Sequence, residues 1–178
     1  MPTIVSHAAV PLAIGLGLGR RAVSGRLLAA GVVAAMLPDL DVLAFRAGIA
    51  YADQFGHRGF SHSLLLAFLL AVVAALFAER LRAARLTAFL FVLAAMASHG
   101  LLDMLTNGGL GVAWLWPFSD RRFFFPVQPI QVAPLGLHRL LGPAGTRVLT
   151  SELLWIWLPA ALVSVLMAFG RSVLHRRI

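Results

Sequence analysis

Apolar residues dominate this chain in five runs, at roughly 4–19, 27–45, 63–78, 86–102 and 152–170. None alternates with period two as a half-buried strand would, and each is long enough to read as a helix. Short arginine-bearing connections separate the first from the second run and the third from the fourth. A bilayer-crossing helix needs about 20 residues, and the third and fourth runs fall short of that. The second reaches full length only by including Pro38, Asp39 and Asp41. The pattern predicts an all-α integral membrane bundle of about five transmembrane helices, forming one domain over residues 1–178. Short helices ending in polar groups place those groups below the outer surface, at acyl-chain depth. The long connection 103–151 is proline-rich and mixes Trp114, Trp116, Phe118 and Phe123–Phe125 with Asp120, Arg121 and Arg122. Aromatics interleaved with arginine favour the headgroup level. This segment is expected to be an interfacial, partly re-entrant loop or lid.

The polar residues inside and beside these runs are not scattered. His7 opens the first, Asp39 and Asp41 close the second, and His57 and His62 precede the third. His99 and Asp103 close the fourth, and Glu152 opens the fifth. If successive runs cross the membrane in opposite directions, all eight groups lie at one face. Ionisable side chains within apolar helices are costly and mark function. Sets mixing histidine with aspartate suit divalent metal ions.

Composition supports the membrane reading: 60% of the 178 residues are hydrophobic and 12% charged, with a mean hydropathy of +0.88. A soluble domain is about a quarter charged. The net charge of +8 comes from 15 arginines without a lysine, but the polar surface is too small for a nucleic-acid-binding module. With no cysteine there is no disulfide and no thiolate ligand. The N-terminus lacks a basic stretch and a small-residue cleavage site, so it reads as a retained first helix. Arg20, Arg21, Arg26, Arg80, Arg82, Arg85, Arg171, Arg176 and Arg177 fall on the side opposite the His/Asp groups. The positive-inside rule makes that side cytoplasmic. The His/Asp face is then extracytoplasmic, which is periplasmic for an inner-membrane protein.

Local spacing sharpens the candidates. His99 and Asp103 are four apart and share a helical face, either converging on an ion or packing as a His–Asp hydrogen bond. In HRGFSHS, Ser61 is a candidate N-cap for a helix starting at His62, with His57 on the loop before it. Arg58 beside them has the bidentate geometry for a phosphate. Asp39 and Asp41 follow Pro38, which weakens the helix and permits a turn. One aspartate is expected to ligate, the other to ligate or to orient a histidine. His7 reads as a ligand or as a buried structural histidine. Glu152 reads as a ligand, a general base or a helix-start glutamate favoured by the dipole. Asn107, Gly108 and Gly109 provide a turn after Asp103. His138 and His175 are assigned no role.

Seven oxygen and nitrogen donors, His7, Asp39, Asp41, His57, His62, His99 and Asp103, are too many for one tetrahedral zinc. They suit two ions, zinc first and manganese second, in the arrangement used for phosphoester hydrolysis. The motifs SHAAV, LPDLD, HRGFSHS, SHGLLDMLTNGG and LWPFSDRRFFFP resemble the bacterial inner-membrane, LexA-regulated metal-dependent hydrolase family. The likeness runs from about residue 5 to about 160. It implies metal held by those same seven residues, and Arg121 as a substrate contact. It also carries a loose likeness to zinc-dependent phospholipase C.

The function expected is hydrolysis of a phosphoester in a lipid or lipid-linked substrate. Arg58 and Arg121 would hold the phosphate, with Asp41 or Glu152 as the base. The alternative is a divalent-metal-binding or transport protein, disfavoured by an apolar cytoplasmic half. A haem-binding bundle and a scaffold without chemistry are further rivals.

Overall fold

A computed structural model of the chain describes residues 1–134 and 142–175, without the side chain of His175. Among these residues no strand forms, and two isolated β-bridges are the only sheet-like pairings. A 3₁₀ turn, Ile4–Ala8, leads into helix α1 (Ala9–Leu18). Helix α2 (Gly25–Met36) starts at Ser24, whose hydroxyl accepts from the Leu27 amide. It tightens into a 3₁₀ segment, Leu37–Ala47, at Pro38, which offers no amide donor to the turn before it. Helix α3 (Leu64–Leu76) follows a single 3₁₀ turn at Phe60–His62, and α4 spans Arg85–Met104. Helix α5 (Pro143–Glu152) runs through a wide turn at Leu153–Trp157 into α6 (Leu158–His175).

Three helical stretches are long and apolar enough to cross a membrane: Gly25–Ala47, Arg85–Met104 and Pro143–Leu174. The other two expected spans are the shorter apolar helices Ile4–Leu18 and Leu64–Leu76. With 13 residues, α3 extends about 20 Å against a hydrocarbon core of about 30 Å. The last span begins earlier than hydropathy indicated. Pro143 sits at its first turn, where a missing amide costs nothing, and residues 143–151 are helical although too polar to count as a run.

Small residues set the packing. Ala67, Ala71, Ala74 and Ala78 on the α3 side face Ala88, Phe91, Val92 and Met96 of α4, with Leu27 and Ala34 of α2. Gly31 leaves room for the Phe91 ring, and Gly17 for Met167 of α6. Close approach of small residues is how helices associate where lipid removes the hydrophobic drive. Large apolar side chains such as Leu69, Leu162, Val165 and Phe169 point outward. At the end carrying the arginines, Arg26 donates to the Arg80 carbonyl at 3.1 Å and Arg171 to the Gly17 carbonyl at 2.8 Å.

The connection after α4 folds back onto the opposite end of the bundle. Thr106 bridges to Ile130 and Val112 to Phe123. The amides of Phe125, Ile130 and Ala113 donate to the carbonyls of Met104, Leu105 and Arg58. Ile130, Val112 and Ala113 are buried, whereas Phe118 is 87% exposed. The segment is thus a fitted cap with exposed aromatics. Gly109, at φ +81°, makes the expected turn, and Asn107 clips it by accepting from the Val132 amide.

Candidate metal centre

Four helix ends deliver their polar residues to one place under this cap. His7 enters from the turn before α1, and Asp39 from the 3₁₀ extension of α2. His62 comes from the turn before α3, and His99 and Asp103 from the last turns of α4. Asp39, His62, His99 and Asp103 present ligand atoms within 4.8 Å of one another, and all four are buried. The Nε2 atoms of His62 and His99 face each other at 2.9 Å. Asp39 Oδ1 lies 3.5 Å from His99 Nε2 and 3.8 Å from His62 Nε2, and Asp103 Oδ2 lies 3.3 Å from His62 Nε2. His7 stacks on the His99 ring at 3.6 Å. Its Nε2 stands 3.5 Å from Asp39 and 3.7 Å from Asp103.

The outer nitrogens of the two central histidines are already held. His99 Nδ1 meets the Ala35 carbonyl at 2.7 Å, which makes Nδ1 the donor and leaves Nε2 as a lone pair. His62 Nδ1 sits 3.2 Å from Asp41 Oδ2 and 2.9 Å from Ser61 Oγ. Such outer partners fix the tautomer of metal-ligating histidines. By contrast, both oxygens of Asp39, both of Asp103 and both nitrogens of His7 are buried without a hydrogen bond. Unmatched buried polar atoms are rare and costly. Here they surround two inward-facing imidazole nitrogens. Two carboxylates and two imidazoles, with a third imidazole beside them, are the donor set of a zinc-like or manganese-like ion. The residues fit the ion the sequence implied. Burial lowers the affinity of His62 for a proton, but Asp103 and Asp41 more than offset it, raising its pKa to about 9. A proton on His62 and a cation among these groups are alternative ways to balance the carboxylates.

The seven predicted donors divide unequally. Asp41 and His57 stand outside the central group, with Asp41 Oδ1 at 2.5 Å from His57 Nδ1. Asp41 Oδ2 accepts from the Ser61 hydroxyl at 2.6 Å and from the Arg58 amide at 3.1 Å. With His62 they form a second triad able to hold an ion, but Asp41 already has its hydrogen bonds. Ser61 is therefore a partner of Asp41 and not the helix cap. That role belongs to Ser63, whose hydroxyl accepts from the Leu66 amide.

The other predicted site residues take different places. Arg58 does not reach outward to a phosphate, because it is completely buried. Its Nε pairs with Asp103 at 3.0 Å, and its terminal nitrogens donate to the Gly108 and Leu110 carbonyls and the Thr106 hydroxyl. It balances the cluster's charge and ties the cap to it. Its φ of +62°, costly for a side-chain-bearing residue, is held by these bonds. The Glu152 carboxylate is engaged by the turn before α1 and is not among the grouped ligand atoms. It is buried and accepts from the Thr3 amide and from the hydroxyls of Thr3 and Ser6, each hydroxyl at 2.7 Å. A carboxylate there satisfies the free Thr3 amide at a helix start and fixes the turn carrying His7. Arg121 is exposed. Arg122, which the sequence did not single out, donates to the carbonyls of His57, Gly111 and Asp53 and locks the His57 loop to the cap. Its only sequence signal was its place in the aromatic–arginine run. His138 lies outside the described residues.

Comparison with known proteins places the chain in a membrane. It is 52% identical over 164 residues, 92% of this chain and 95% of the other, to "Inner membrane protein YbcI" of Escherichia coli strain K12. No solved structure matches. A family model described as "YdjM inner membrane protein" matches residues 1–175, and the chain belongs to that inner-membrane family.

Proposed function

We propose that this protein is a metal-dependent hydrolase that cleaves an ester bond, a phosphoester first, in a lipid or lipid-linked substrate at the extracytoplasmic side of the inner membrane. The observation that carries the proposal is the buried set of donor atoms without a hydrogen bond on Asp39, Asp103 and His7, closed around the facing nitrogens of His62 and His99. A bound divalent ion would supply Lewis acidity there, polarising the scissile group and lowering the pKa of a water. The unequal division of the donors favours one ion in the central group over the two inferred from the donor count.

The chain's own residues supply the rest. Asp41 accepts from His57 Nδ1, which leaves Nε2 of that ring as the proton acceptor. An imidazole oriented by a carboxylate is suited to general-base work. Arg58 sits against Asp103 and balances part of the charge of the two carboxylates. The cap, sealed by Arg122, keeps bulk water from the cluster. Arginine clustering at the opposite end agrees with a cytoplasmic location for that end.

Elemental analysis of the detergent-purified protein tests the reading. The informative comparison is an Asp39→Asn, His99→Ala double variant, because Asp103 also holds Arg58. A stoichiometric divalent metal in wild type, lost from a folded variant, supports the centre. It also justifies assaying phospholipid vesicles for released headgroups and fatty acids. A wild type that stays empty when offered zinc or manganese sinks the proposal.

A further inference from the structure

An apolar cleft of about 500 Å³ opens directly beside Asp41, the partner of His57. Leu37, Pro38 and Ala44 of the 3₁₀ segment line it together with Phe55, Phe60 and Leu66; Asp41 and Ser61 are its polar lining residues. Its surroundings are apolar: Leu40, Leu43 and Phe55 are 50%, 54% and 47% exposed. In a chain of the inner membrane, such a mouth meets lipid.

We propose that this cleft seats one acyl chain of a membrane glycerophospholipid, entering sideways from the bilayer and placing its ester region at Asp41 and Ser61, beside the metal centre. This rests on the hydrolase reading and names its substrate class. Three observations carry it. The cleft offers no cation, so it suits a hydrocarbon chain rather than a headgroup. Its lining is apolar apart from Asp41 and Ser61, as a hydrocarbon chain with a polar end requires. Its polar end is already wired to the centre, since Asp41 and Ser61 both contact His62 Nδ1, whose other nitrogen faces His99. A chain lying in the cleft thus ends beside the groups that would handle the proton.

The test uses full-length, metal-loaded protein in nanodiscs doped with a phospholipid bearing a diazirine on one acyl chain. After photolysis, labelled peptides are mapped by mass spectrometry. Label concentrated on residues 37–49 and 55–66, and reduced several-fold by Ala44→Trp, is the expected result. Label no denser there than on Leu162, Val165 and Leu166 of α6 overturns the proposal, as does a cleft still fully labelled in Ala44→Trp. Preferential labelling by a prenyl-chain diazirine, or cross-links to a second copy of this chain, equally overturns the acyl assignment. Metal content measured on the same samples separates the two claims. An unlabelled cleft with metal retained overturns only the cleft, and a labelled cleft in a protein that takes up no metal overturns only the hydrolase reading.

Discussion

Asp39 and Glu152 are both buried carboxylates at helix ends on one face of the bundle, yet their surroundings are opposite. Glu152 collects three donors from Thr3 and Ser6 and has its valence filled. Asp39, with neighbours within 4 Å, has no hydrogen bond. A satisfied carboxylate holds the protein's shape, and an unsatisfied one among histidine nitrogens holds something else. Asp41 belongs with Glu152 in this respect, whereas Asp103 stands between the two, without a hydrogen bond but ion-paired with Arg58. The difference separates ligands from the residues that position them, where residue type and face alone did not.

Four changes put the contrast to the test, the largest effect first. Asp39→Asn removes a ligand charge and should abolish stoichiometric metal binding while the melting temperature of the metal-free protein stays equal or rises. Retained metal would place Asp39 with the structural carboxylates. Asp41→Asn should weaken metal binding by about 10–100-fold, the usual effect of a residue that orients a ligand, measured by competition with a chelating dye. Complete loss would instead make Asp41 a ligand of a second ion. Metal affinity should rise by about tenfold per pH unit from pH 7 to about 9 and then level off. The ion must displace the proton that His62, with its pKa of about 9, carries below that value. A flat profile would leave His62 outside the ligand set. Glu152→Gln, which keeps shape but loses charge, should cost about 1–3 kcal/mol of stability and only a modest part of the affinity. A variant emptied of metal but unchanged in stability would move Glu152 into the centre.

Much of this site is legible in the sequence because alternation of apolar runs fixes which ends meet. His7, Asp39, His62, His99 and Asp103 follow from that rule and from the four-residue spacing of the last pair. The rule reports proximity but not who is bonded to whom. Arg58 looks like a phosphate ligand beside two histidines. Its burial depends on Thr106, Gly108 and Leu110 folding back some fifty residues later. Glu152 pairs with residues nearly 150 positions away, which no local pattern encodes. The early start of the last helix was hidden because its first turns carry small and polar residues that hydropathy scores as loop.

Glu152 also bears on the order in which the protein is made. All seven candidate donors lie within the first 103 residues and enter the membrane before the last helix exists. Until that helix arrives, the turn bearing His7 lacks the carboxylate that holds it. Completion of the centre is therefore tied to insertion of the final segment, and a nascent chain presents at most a partial binding site to passing ions.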